Sequence, residues 1–75
     1  MERYANLSGD SGVVAFEIGV DFIRVKFLDG GTYRYTSESA GESTIEEMKR
    51  LARAGRGLSA FISLSVREKY SRKEL

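Results

Sequence analysis

The stretch Phe22-Ile-Arg-Val-Lys-Phe-Leu-Asp-Gly-Gly-Thr-Tyr-Arg-Tyr-Thr36 decides the fold. Ile23, Val25 and Phe27 alternate with Arg24 and Lys26, the period-two pattern of a strand with one buried face. The alternation resumes after Asp29-Gly30-Gly31, with Tyr33 and Tyr35 set against Thr32, Arg34 and Thr36. A two-residue loop would place Tyr33 beside Lys26 and Tyr35 beside Arg24. A three-residue loop gathers every apolar group on one side, because a one-residue slip in register exchanges the two faces of a strand. The spacing therefore predicts a hairpin closed by Asp29, Gly30 and Gly31. In that reading Gly31 is left-handed and forms a bulge, Phe27 pairs with Tyr33, and Val25 pairs with Tyr35.

Upstream, Val13-Val-Ala-Phe-Glu-Ile18 forms a preceding strand with Val14, Phe16 and Ile18 on one side. The connection to the hairpin is either Gly19-Val20 alone or a longer loop reaching Phe22; the longer one sets Glu17 opposite Arg24. Residues 1–12, rich in Ser, Gly, Asp and Asn, have the composition of a flexible arm on which only Tyr4 and Leu7 offer docking groups. Downstream, Ser37–Gly41 is a connector. Ser43 with Glu46 and Thr44 with Glu47 are overlapping capping boxes that open a helix. Ile45, Met48, Leu51 and Ala52 share its apolar face, Glu46 can pair with Arg50, and Gly55 is a left-handed cap. A second helix is expected from Leu58 or Ser59 to about Tyr70, burying Leu58, Phe61, Ile62, Ser65 and Val66, before a polar tail over 71–75.

The resulting expectation is one α+β domain over residues 13–70: a three-stranded antiparallel meander followed by two α-helices packed on one face of the sheet. Its 75 residues, 41% hydrophobic and 31% charged, suit a small globular domain rather than a disordered chain. No apolar run approaches a membrane span and no signal-peptide core is present, so a cytoplasmic location without membrane contact is expected. The chain has no cysteine and no histidine. That removes disulfides, thiolate zinc sites and the commonest general base. No serine has a helical Ser-x-x-Lys spacing, and the carboxylates are scattered through caps and turns. The expectation is a non-enzyme with no cofactor and no metal.

The net charge of +1 is unevenly distributed. Residues 1–48 hold four basic and nine acidic groups, whereas residues 49–75 hold eight basic and two acidic ones. Such asymmetry suits an anionic partner. The candidate nucleic-acid contacts are Arg24, Lys26 and Arg34 on the open sheet face, and Arg56, Arg67 and Lys69 in the basic C-terminal part. Gly55-Arg56-Gly57 before a helix start is a further place where an anion can sit. The competing reading is that the sheet cations are solvated and keep the sheet from aggregating. Tyr33-Arg34-Tyr35 looks like a base-stacking element, yet its tyrosines share the face of Val25 and Phe27, which makes them core residues.

The chain also resembles the KTSC family, small domains named for their attachment to the C-terminus of lysyl-tRNA synthetases. The family pattern has a Val-Gly-Tyr-Asp-like strand, an aliphatic-x-Val-x-Phe strand, a glycine turn and a Tyr-Arg-Tyr strand. Val14-Ala-Phe-Glu17, Ile23-Arg-Val-Lys-Phe27 and Tyr33-Arg-Tyr35 occupy those places. Its later Gly-x-Phe-Phe-Asn-x-x-Ile-Arg-x-x-Tyr is met by Ser59 to Tyr70, with Phe61, Arg67 and Tyr70 in register and with Ser59 and Ser63 replacing the glycine and asparagine. The resemblance implies an accessory binding module that contacts RNA. The alternative is a protein-interaction module with no nucleic-acid ligand.

Overall fold

The computed structural model describes residues 1–7, 9, 11–66 and 68–74. The hairpin is present as β3 (Phe22–Phe27) and β4 (Thr32–Thr36), preceded by antiparallel β2 (Val13–Ile18). The architecture is α+β, but the sheet has five strands, in the order β1-β2-β3-β4-β5. The two additional strands come from the segments assigned to the arm and the tail. β1 (Glu2–Arg3) pairs with β2, and β5 (Arg72–Glu74) pairs with β4. The physical reason is the obligatory pairing of backbone donors and acceptors at a sheet edge. The Tyr4 N–H donates to the Val14 carbonyl at 2.9 Å, and the Ser71 N–H donates to the Arg34 carbonyl at 2.7 Å.

The β3–β4 turn has the anticipated length but lies one residue earlier. Gly30 N–H donates to the Phe27 carbonyl at 2.9 Å and Phe27 N–H to the Gly31 carbonyl at 2.8 Å, so the loop is Leu28-Asp29-Gly30. The left-handed residue is Gly30, with φ +96°, rather than Gly31. Asp29 holds this position because its Oδ1 accepts the Gly31 N–H at 2.9 Å. Val25 consequently pairs with Tyr33 and Ile23 with Tyr35. A displacement of two residues in pairing preserves the faces, so the tyrosines still point to the apolar side. Between β2 and β3 the longer loop is the one formed, with Ile18 opposite Ile23 and Glu17 opposite Arg24. A bulge between Val13 and Ala15 reverses the expected phase at the start of β2: Val13 is buried and Val14 exposed.

The helical layer begins earlier than the capping boxes suggested. Thr36 and Ser39 form the reciprocal box: the Ser39 N–H donates to Thr36 Oγ1 and the Thr36 N–H to Ser39 Oγ, both at 3.0 Å. This box starts α1 (Ser37–Ala40) directly from the end of β4. Gly41 at φ +97° then turns the chain into α2 (Glu42–Ala54), which has no side-chain cap, so neither Ser43 nor Thr44 serves as one. Ile45, Met48 and Ala52 are buried as the spacing required, and Gly55 ends the helix in the left-handed region. The ion pairs along α2 are Glu46–Lys49 and Glu47–Arg50, three residues apart, in place of Glu46–Arg50. Glu47 is held below the usual carboxylate range by the Arg50 guanidinium.

The second helix is shorter than expected. α3 (Leu58–Phe61) continues as a π-helical turn over Ile62–Val66 and stops there. The chain leaves the helix because Tyr70 packs edge-on against Tyr33 and Tyr35, while Ser71 bonds to β4. Leu58, Ile62 and Val66 are buried, Phe61 partly so, and Ser65 is exposed. The single core joins Tyr4, Phe16, Ile23, Val25 and Tyr35 of the amino-terminal segment and sheet to Ile45, Met48 and Leu58 of the helices. Among the described residues no helix is long and apolar enough to cross a membrane.

Lys49 is 5% exposed and shares the buried face of α2 with Ile45, Met48 and Ala52. Its ammonium donates to the Val20 carbonyl at 3.0 Å and to Glu46 Oε2 at 3.2 Å, and the Ser37 N–H donates to the neighbouring Asp21 carbonyl at 2.9 Å. Both tie the exposed β2–β3 turn to the helices. Lys49→Ala is expected to cost about 2 kcal/mol, from the lost stem packing and the charged hydrogen bond. Urea denaturation with an unchanged m-value measures this; a loss below about 0.5 kcal/mol would show a dispensable tie.

Candidate nucleic-acid interface

Strand pairing brings a charged surface together on the face opposite the helices. One cross-strand row runs Glu17, Arg24, Arg34 and Arg72; the adjacent row runs Arg3, Ala15, Lys26, Thr32 and Glu74. Three arginines directly opposite one another repel, so the row requires carboxylates nearby. Glu74 supplies one diagonally: both its oxygens accept from Arg24 Nε, at 3.1 and 3.3 Å, and Oε2 lies 3.6 Å from Arg34 Nε. Glu17 bonds to the other side of the Arg24 guanidinium.

The hydrogen bonds that Arg24 donates to Glu74 and then to Glu17 hold it above the usual arginine range, while Arg24 holds the Glu74 carboxyl below that of an ordinary glutamate. Arg34 has a different anchor. Its guanidinium carbon lies 4.2 Å over the Phe22 ring, a cation–π contact that spreads the group flat on the sheet. Lys26 is exposed on the same face.

Of the six residues anticipated, Arg24, Lys26 and Arg34 therefore share one surface. Arg56 is exposed in the connection between α2 and α3, and Lys69 is exposed between the π-helical turn and β5; neither belongs to the sheet face. Arg67 lies outside the described residues. At Gly55–Gly57, the segment where an anion was expected to sit, the Leu58 N–H donates inward to the Tyr4 hydroxyl at 3.3 Å. Arg3, Arg72 and Glu74 are the members that sequence reasoning missed. Two- and three-residue strands carry too little alternation to be seen, and the only available signal was that the outer edges of β2 and β4 needed partners.

Tyr35 is 1% exposed and Tyr33 is partly buried, as their side of the hairpin required. They adjoin Phe27 and Tyr70 in an edge-to-face cluster on the helical side. No base can stack on them from the charged face. No protein-family model, no curated protein and no solved structure matches the chain.

Proposed function

We propose that the chain is a KTSC-like, non-catalytic cytoplasmic module that binds nucleic acid, single-stranded RNA in the first place, through the open face of its sheet. The observation that carries this reading is the row Arg24, Arg34 and Arg72 with Arg3 and Lys26 in the adjacent row, on a face the helices leave uncovered. Guanidinium groups bind phosphate oxygens through paired N–H donors, and such contacts position a strand without reading its sequence. Arg34, held flat by Phe22, presents its donors with little further ordering. Glu74, bridging Arg24 and Arg34, and Glu17, paired with Arg24, offset the repulsion along the row when no phosphate is present, and a phosphate would take over part of that role.

Fluorescence anisotropy with a labelled mixed-sequence RNA tests the proposal. Neutralising about four phosphates on a single strand gives a log–log salt slope near −3, so a tenfold rise in salt should weaken binding several hundredfold, roughly. Lys26→Ala with Arg34→Ala should bring the slope about one to one and a half closer to zero. Arg56→Ala with Lys69→Ala should leave it unchanged. Absence of binding at about 20 mM salt would remove the nucleic-acid reading. Retention of some other ligand without salt dependence would favour the protein-interaction module.

A further inference from the structure

The tyrosines of β4 turn away from the charged face, but one aromatic ring does lie on it. Of the four phenylalanines, Phe16 is in the core and Phe27 and Phe61 pack against it, whereas Phe22 does neither. Phe22 has the strand parity of Arg24 and Lys26, which puts its ring on their side of β3. The ring lies across Gly19: a Cβ there would collide with Cδ1, Cε1 and Cζ of Phe22. Gly19 is not among the glycines with positive φ, so what fixes its type is room for the ring. Phe22 pairs with Thr36, which makes Arg34 its diagonal neighbour on the same face. The Arg34 guanidinium carbon lies 4.2 Å over the ring.

Gly19, Phe22 and Arg34 therefore form a layered stack that rises from the sheet and ends in a guanidinium plane. The edge of that plane turns to Glu74, whose Oε2 lies 3.6 Å from Arg34 Nε, and one flat side faces Phe22. The Arg34 side chain is still 37% exposed, which leaves the outward flat side to solvent. Guanidinium planes are surfaces on which unpaired bases stack, and one already held on a ring has less freedom to lose. A base laid there takes the plane and leaves the edge to Glu74. The flanks are cationic: Arg24 and Arg72 adjoin Arg34 on the neighbouring strands, about 4.8 Å away on either side, and Lys26 is exposed in the next row. A flat group on the stack with negative groups on both sides of it has the chemistry of a nucleotide within a strand.

We infer that Arg34, carried on Phe22, is a stacking site for one unpaired nucleobase, and that Arg24, Arg72 and Lys26 hold the phosphates on either side of it. The inference rests on the nucleic-acid reading and deepens it, since phosphate contacts alone would bind a strand stripped of its bases equally well. It also assigns a purpose to Gly19, whose missing side chain lets the ring lie low enough on the sheet to carry Arg34. Paired bases are already stacked and present only their edges, so the site selects single strands.

The test compares two labelled strands of equal length by fluorescence anisotropy with the full chain: oligodeoxyadenylate, and an abasic strand with the same sugar-phosphate backbone. The abasic strand should bind about tenfold more weakly, the worth of one stacked base, with the same salt slope. Arg34→Lys keeps the charge and removes the plane, and should cut that difference to about twofold or less. Phe22→Leu keeps an apolar group but no ring beneath the guanidinium, and should cut it to about threefold. In NMR spectra of the parent chain, oligodeoxyadenylate should move the Arg34 Nε–H and Phe22 ring resonances upfield, and the abasic strand should not. Equal, salt-dependent binding of both strands overturns the inference and leaves the phosphate-binding reading standing. So does a tenfold difference that survives Arg34→Lys. Absence of binding by either strand at about 20 mM salt overturns both readings. An acidic peptide with one tyrosine that moves the Arg34 resonance where oligodeoxyadenylate does not would overturn the inference in favour of a protein ligand.

Discussion

Tyr4→Ala is expected to destabilise the chain by about 3–4 kcal/mol, although the residue lies in a segment whose composition suggests a frayed arm. Tyr4 is 3% exposed, and its hydroxyl accepts the Leu58 N–H at 3.3 Å. Alanine would leave a ring-sized void between β2 and the helices and an unsatisfied N–H at the start of α3. A single core of this size supplies only about 3–5 kcal/mol, so the variant should be largely unfolded at room temperature. Tyr4→Phe separates the contributions: it keeps the ring and should cost about 1 kcal/mol, the worth of one hydrogen bond. Urea denaturation followed by circular dichroism measures both. A loss of only a few tenths for Tyr4→Ala would mean that the amino-terminal segment contributes no core.

The second large effect is a loss of stability in alkali that belongs to Tyr35. Burial favours its neutral phenol, pushing its pKa from 10.0 up to about 12, with the Tyr33 and Tyr70 phenols adding to the rise. The folded chain therefore holds this proton more tightly than the unfolded chain. Its contribution is fully present below about pH 10 and is lost as pH rises through about 12. The gap corresponds to about 3 kcal/mol, at about 1.4 kcal/mol for each pH unit. Urea denaturation across that range should show the decline in the parent chain and a flatter profile in Tyr35→Phe, with phenolate absorbance identifying the late-ionising group. Identical profiles would show that another group governs alkaline unfolding.

These residues also mark where the chain was legible. The face assignment of the hairpin was robust, because only the parity of the register mattered: Tyr33 and Tyr35 stay inward whether Gly30 or Gly31 takes the positive φ. The exact turn was not, since it depends on Asp29 reaching the Gly31 N–H. The buried stripe of α2 followed from spacing, and Lys49, four residues after Ile45, falls on that same stripe; what no local pattern reported is that a carbonyl at Val20 would hold its ammonium. Ser43 and Thr44 looked like caps as strongly as Thr36 does. What favoured Thr36 was its place at the end of β4, where a helix had to start at once.

The open face was legible in Arg24, Lys26 and Arg34, and illegible in Arg3, Arg72 and Glu74. Those three take their positions from pairing with β2 and β4, a tertiary requirement that no local pattern in their own short segments reports. The bulge that buries Val13 in place of Val14 belongs to the same class. Either valine suits a strand, and the choice is made by the neighbouring strand.

β5 has one further consequence. It neighbours β4 in the sheet, but the whole excursion from Ser37 to Ser71 separates them along the chain, so its docking closes the longest loop in the fold for a ladder of three residues. The meander β2–β3–β4 is held by local turns and a shared core, whereas β5, exposed at the sheet edge, has little to lose by local opening. When it opens, Glu74 departs with it, and Arg24 and Arg34 lose the carboxylate they share. The electrostatic potential of the open face is therefore coupled to a sub-global opening: a strand of three residues sets how strongly the remaining sheet attracts an anion.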